Sequence, residues 1–96
     1  MIFDWDTNKA ARNANDHKIT FDVAKMVFDD PFFIVFPDPV HSFDESRYLI
    51  LGETSFGQLM IVSYTERGDA VRIISAREAT PKERRKYEKE KSRSSQ

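Results

Sequence analysis

Three arginines fall on candidate strands: Arg47 begins one, Arg77 ends one, and Arg72 points from mid-strand to the face of Ser63 and Thr65. A guanidinium is planar, stays charged, and pairs two N–H groups with two oxygens of one phosphate. Such groups suit a reaction that piles negative charge onto phosphorus oxygens. His17 belongs to the residue type best suited to moving a proton near neutral pH, or to capping the carbonyls of a helix end. Lys9 offers a phosphate contact, Tyr64 a stacking ring or proton shuttle, and Arg67 a cation at a hairpin tip. Each has a plainer alternative. The arginines can pair with any of the chain's many acids, Lys9 and Arg67 can be solvated, and Tyr64 can be core.

Other kinds of chemistry find no footing. Without cysteine there is no disulfide framework and no thiolate metal site. Gly52, Gly57 and Gly68 are the only glycines, so no glycine-rich phosphate loop exists. No serine has a histidine at a meaningful spacing. His41 lies among Asp38, Asp44 and Glu45, a set of metal-ligating types. In a proline-bounded stretch with nothing evident to fix the side chains, it reads as a solvated acidic loop. No metal and no cofactor are expected.

The scaffold that must hold these residues is small. Ninety-six residues and 11.2 kDa make one domain, expected over residues 1–91 with a frayed tail at 92–96. A hydrophobic share of 40% beside 32% charged residues excludes a disordered chain. No apolar run approaches the roughly 20 residues of a membrane span. The first residues, Met1-Ile2-Phe3-Asp4-Trp5, form neither a basic nor a signal-like segment. A cytoplasmic protein without membrane attachment is expected. The net charge of −1 conceals a division: five basic against eleven acidic residues through Glu66, then ten against five from Arg67 onward. Such polarity presents a basic surface even where the sum is near zero.

Ile2 to Trp5 suits a short strand, with Asp6 as N-cap of a helix that ends near His17. Thr20 caps a second helix, in which Phe21, Ala24, Val27 and Phe28 share a face, and Pro31 closes it. Phe32 to Phe36 and Arg47 to Gly52 read as strands. Gln58 to Thr65 and Val71 to Ala76 form a hairpin about Arg67-Gly68, with Tyr64 opposite Val71. Thr80-Pro81-Lys82-Glu83 combines an N-cap, a proline at the first helical position and a glutamate three residues after the cap. The fold class is α+β: two amino-terminal helices, a mainly antiparallel sheet of about four strands, and a carboxy-terminal helix.

The order of motifs resembles the BrnT-type toxins of bacterial type II toxin–antitoxin systems, within the RelE-like ribonuclease superfamily. The match is carried by Phe3-Asp4-Trp5-Asp6 with Lys9 and Ala10, by Asn13 and His17, and by Phe28-Asp29-Asp30-Pro31. It continues through Phe36-Pro37-Asp38-Pro39, Arg47, Gly52, Tyr64-Thr65-Glu66-Arg67-Gly68 and Arg72 to Arg77, and ends at Ala79-Thr80, Glu83-Arg84 and Tyr87-Glu88.

The resemblance implies a RelE-like endoribonuclease that cuts RNA, inhibits translation and needs no metal. It also implies a BrnA-type ribbon-helix-helix antitoxin, through which operator DNA is bound indirectly. In that setting RNA supplies its own 2′-hydroxyl nucleophile. The protein must then help remove that proton, stabilise the transition state and protonate the leaving 5′-oxygen. Arg47, Arg77, Arg72 and His17 are the catalytic candidates, and Lys9, Tyr64 and Arg67 the substrate-binding ones. A competing class is a catalytically silent partner of the antitoxin in operon repression, using Phe36, Phe43 or Phe56 as apolar anchors. A third is a nucleic-acid chaperone that binds through its basic tail.

Overall fold

A computed structural model describes residues 1–94. Five strands form one sheet: β1 (Ile2–Trp5), β2 (Ile34–Pro37), β3 (Arg47–Glu53), β4 (Leu59–Arg67) and β5 (Ala70–Glu78). Their order is β1-β5-β4-β3-β2. The last four strands pair antiparallel, while β1 lies parallel to β5 with Asp4 opposite Arg72. The sheet is therefore mixed, and the short strand Ile2–Trp5 joins the four antiparallel strands as a fifth instead of standing apart from a sheet of about four. Four residues are too few to reveal strand direction, and the outer edge of β5 accepts them.

Helix α1 spans Thr7–His17, and the Asp6 carboxylate accepts from the free amides of Asn8 and Lys9, as its type and place suggest. The second predicted helix is shorter than its periodicity suggests. Helix α2 covers only Phe21–Ala24, and a tighter 3₁₀ turn, Lys25–Asp29, replaces its second half. Helix α3 runs Pro81–Ser94. It thus continues through Ser92–Ser94, where fraying is expected from sequence; residues 95–96 lie outside the described residues.

The β4–β5 turn is also displaced by one residue. Arg67 pairs with Ala70, so Gly68 and Asp69 are the central residues. Gly68 has φ +58°, the positive value that a mirror-image hairpin turn requires of its first central residue. Tyr64 consequently faces Ile73 instead of Val71, and a bulge at Ile74 restores pairing at Ser63–Ser75.

Two layers of apolar packing flank the sheet. On one face Met60, Val62, Tyr64, Ile73 and Ala76 pack with Ile19, Phe21, Ala24 and Val27 of the amino-terminal helical region. On the other, Leu51, Leu59 and Ile61 pack beneath Tyr87 of α3. Burying a Phe21-sized side chain contributes on the order of 2–3 kcal/mol. Asn13 ties α1 to the part of β5 that extends beyond β1. Its amide donates to the carbonyls of Ala76 and Ile19 at 2.9 and 3.0 Å, and its oxygen accepts from the Ala76 amide at 3.0 Å.

Candidate active site

Alternation along the strands places the three arginines on one face, the face that α3 partly covers. Arg47 is opposite Thr65, Thr65 is opposite Arg72, and Arg72 is opposite Asp4. Residues directly opposite one another point to the same side, so these four form a row across four strands. The Cα atoms of Arg47 and Arg72 are two strand spacings apart, roughly 10 Å. Arg77 is opposite Ile61 on the same face, roughly 15 Å further along β5.

Sharing a face does not make the arginines equivalent. Arg72 donates to Asp4 at 2.9 Å. Arg77 holds Glu83 with two parallel bonds of 2.9 and 3.0 Å. Glu83 also accepts from the Thr80 amide at 2.8 Å, while the Thr80 hydroxyl accepts from the Glu83 amide. Arg77 thereby clamps the start of α3 to the end of β5. Its guanidinium titrates above its usual range through the bond to Glu83, and Glu83 is lowered to about 2, chiefly by that same bond.

Arg47 differs. Its nearest carboxylate oxygen, on Glu45, is 3.9 Å from Nε, beyond hydrogen-bond reach. That Nε is buried with no hydrogen-bond partner among the described residues. Arg67, at the hairpin end, lies 3.4 Å from the other oxygen of Glu45. Glu45 thus stands between two cations.

The loop before Arg47 is not the unstructured acidic stretch that its composition suggests. Pro39–His41 forms a 3₁₀ turn. The Asp38 amide donates to the Arg47 carbonyl at 2.9 Å. The Ser42 hydroxyl donates to the Asp38 carbonyl at 2.6 Å and accepts from the Arg47 amide at 3.0 Å. Within this frame His41 Nδ1 sits 3.0 Å from Asp38 Oδ2 and 3.2 Å from Oδ1. His41, Phe43, Asp44, Glu45 and Arg47 line a cavity of about 190 Å³. From sequence this constellation reads only as a solvated acidic loop of metal-ligating residue types. Its signal was Asp38-Pro39-Val40-His41, where a proline fixes a turn and a three-residue spacing returns the imidazole to the carboxylate. Among the described residues no group of three or more His, Cys, Asp or Glu side chains is arranged to hold a metal ion.

His17 and Lys9 belong elsewhere. They line a second cavity, of about 270 Å³, with Arg12, Asn13, Asp16, Ile74 and Ser75. It opens between α1 and β5, whereas the Arg47 row faces the opposite side of the sheet. Lys18 makes the helix-capping contacts that His17 was a candidate to supply. With φ +60°, it donates its amide to Ala14 and its ammonium to the Asn15 carbonyl. Tyr64 is only 6% exposed and packs against Phe28 and Tyr48. Burial, first of all, raises the pKa of its phenol. An enclosed ring offers no stacking face to a base, so its assignment to substrate is corrected to core.

Of the aromatic anchors, Phe43 is 91% and Phe56 76% exposed. Phe36 is half-buried beneath Lys86 of α3.

Comparison with known proteins agrees with this architecture. The crystal structure of the Brucella abortus ribonuclease toxin BrnT superposes with a TM-score of 0.65 at 24% identity, covering 83% of this chain and 99% of that one. No curated protein sequence matches. The family model described as "Ribonuclease toxin, BrnT, of type II toxin-antitoxin system" matches residues 5–83. With most of its length inside that model, the chain belongs to the BrnT family of ribonuclease toxins.

Proposed function

We propose that this protein is an endoribonuclease that cuts RNA without a metal ion, by attack of the substrate's own 2′-hydroxyl, and so inhibits translation in the cytoplasm. A BrnA-type ribbon-helix-helix antitoxin neutralises it and supplies the contact with operator DNA. The observation that carries this reading is Arg47. Its buried Nε makes no hydrogen bond among the described residues, its contact with Glu45 is a loose 3.9 Å, and the residue lines a cavity of about 190 Å³. A phosphate entering that cavity would compete with Glu45 for the guanidinium.

Arg47 stabilises charge on the phosphorus oxygens as the 2′-oxygen attacks. Arg72, two row positions away, meets the same or the neighbouring phosphate by exchanging its Asp4 contact. Arg77 acts through α3, keeping that helix seated beside the row. Arg67, Lys9 and His17 contact the RNA backbone away from the bond that breaks. Phe43 and Phe56 give the antitoxin apolar anchors of the kind stable interfaces bury.

The test is expression of the chain alone, followed by analysis of total RNA and of purified protein on RNA with a chelator present. Growth arrest, with fragments ending in 2′,3′-cyclic phosphate, is expected. Folded protein that leaves RNA whole would overturn the proposal and favour a silent partner of the antitoxin.

A further inference from the structure

We propose that His41 is the general acid of RNA cleavage, with Glu45 as its general base and Asp38 as a positioning residue for the imidazole. The inference rests on the ribonuclease reading above and assigns roles within the same cavity.

The argument begins with which groups share the space. His41, Glu45 and Arg47 line one cavity of about 190 Å³, with Phe43 at its rim 91% exposed. Cutting RNA through its 2′-hydroxyl needs a proton acceptor, a proton donor and a cation for the phosphate. The cavity is lined by one imidazole, one guanidinium and two carboxylates, Asp44 and Glu45, of which Glu45 is the one that meets Arg47. An ionised carboxylate only accepts, so Glu45, pinned between Arg47 and Arg67, is the acceptor. The donor must then be the imidazole.

Asp38 occupies Nδ1 of His41 from 3.0 Å, leaving Nε2 without a partner among the described residues. Engaging one ring nitrogen orients the other, as in any carboxylate–histidine pair. Asp38 is itself held: its side chain is 15% exposed, and its amide and carbonyl are bonded to Arg47 and Ser42. The loop therefore presents the imidazole from a braced position next to the cation.

The step balances without any further reactant. Glu45 takes the 2′-hydroxyl proton and the 2′-oxygen bonds to phosphorus. The bond from phosphorus to the 5′-oxygen breaks, and that oxygen takes the proton from Nε2 of the imidazolium. The products are a 2′,3′-cyclic phosphate and a 5′-hydroxyl. Glu45 and His41 then exchange protons with water. The exposed Phe43 ring offers a face on which a flanking base stacks.

The experiment compares two RNAs of one sequence at a position mapped beforehand with the wild-type protein. One is ordinary RNA; the other carries sulfur in place of the 5′-bridging oxygen, and its thiolate departs without a proton. His41→Ala is expected to slow cleavage of ordinary RNA by about 100-fold or more and to cleave the sulfur substrate within about tenfold of the wild-type rate. Asp38→Asn is expected to lower kcat on ordinary RNA by a smaller factor at unchanged KM, and to be rescued by the same sulfur. Equal loss on both substrates, or no loss on either, overturns the assignment of His41. A wild-type protein that cleaves neither RNA overturns the ribonuclease reading itself. Because His41 lies on an exposed loop, a melting curve matching wild type confirms that the variant is folded.

Discussion

Arg77 and Glu83 meet across the junction of β5 and α3 in two parallel hydrogen bonds of 2.9 and 3.0 Å. The fork geometry is the strongest that a guanidinium and a carboxylate adopt. Here it closes a capping box, because Glu83 also holds the Thr80 amide. The pair fixes where α3 leaves the sheet. An arginine engaged in this way keeps its helix in place.

The first prediction concerns acid stability. Glu83 titrates at about 2 in the folded protein against an ordinary 4.5, so its pairing stabilises the fold above the ordinary value and loses that contribution as pH falls toward about 2. Both side chains are partly exposed, which reduces the expected size to about 1–2 kcal/mol. Glu83→Gln is expected to melt below wild type at pH 7, with the gap closing between about pH 4.5 and 2. A gap that is constant across that range would show that Glu83 acts through packing alone.

The second prediction separates Arg47 from Arg72. Removing Arg47 takes a cation whose buried Nε makes no hydrogen bond among the described residues, so Arg47→Ala is expected to fold as well as wild type. The same change is expected to slow RNA cleavage by about 100-fold, the usual scale for losing a transition-state donor. Arg72→Ala breaks a pair whose side chains are 26% and 47% exposed, worth at most about 1 kcal/mol. Urea unfolding and cleavage rates measured on both variants check the two expectations together.

The strand residues were readable from alternation and the helix starts from their caps: Asp6, Thr20 and Thr80 each stand where a side-chain oxygen meets free amides. What escaped depends on partners distant in sequence. The parallel seat of β1 exists only because β5 exposes an edge 68 residues away. The hairpin register turned on whether Gly68 is the first or the second central residue, which composition does not decide. In the site, residue type marks Arg47, Arg72 and Arg77 alike as phosphate-binding candidates, and nothing in the local pattern shows that Arg77 points at Glu83 while Arg47 meets Glu45 only at 3.9 Å. His41 looked solvated because the clamp from Ser42 to Arg47 that stiffens its loop has no periodicity to betray it.

The third prediction tests the link between α1 and the open stretch of β5. Asn13 is 6% exposed and makes three hydrogen bonds with backbone groups. Asn13→Ala leaves those groups without protein partners in a buried setting, at a cost of about 2–4 kcal/mol. Asn13→Asp keeps the acceptor and loses the donors. Urea midpoints are expected to fall for both variants with an unchanged m-value.

Gly52 supports the fourth prediction, because the 3₁₀ turn after α2 rides directly over it. A Cβ built at Gly52 would stand 3.0 Å from both the Cβ and the carbonyl oxygen of Val27, with the Val27 Cα at 3.5 Å. These atoms are backbone or bonded to it, so no rotamer change relieves the contact. Val27 is fully buried, and the whole turn must lift for Gly52→Ala to fit. Overpacking of this kind costs about 1–3 kcal/mol. Lifting the turn also disturbs Asp30, whose carboxylate accepts from the Tyr87 hydroxyl at 2.5 Å and from the Glu53 and Phe32 amides at 2.8 Å. Gly52→Ala is therefore expected to loosen α3 along with the turn. Hydrogen exchange would show it as faster amide exchange in Pro81–Ser94 as well as in Lys25–Asp29, whereas exchange confined to the turn would show that Asp30 holds α3 independently of it.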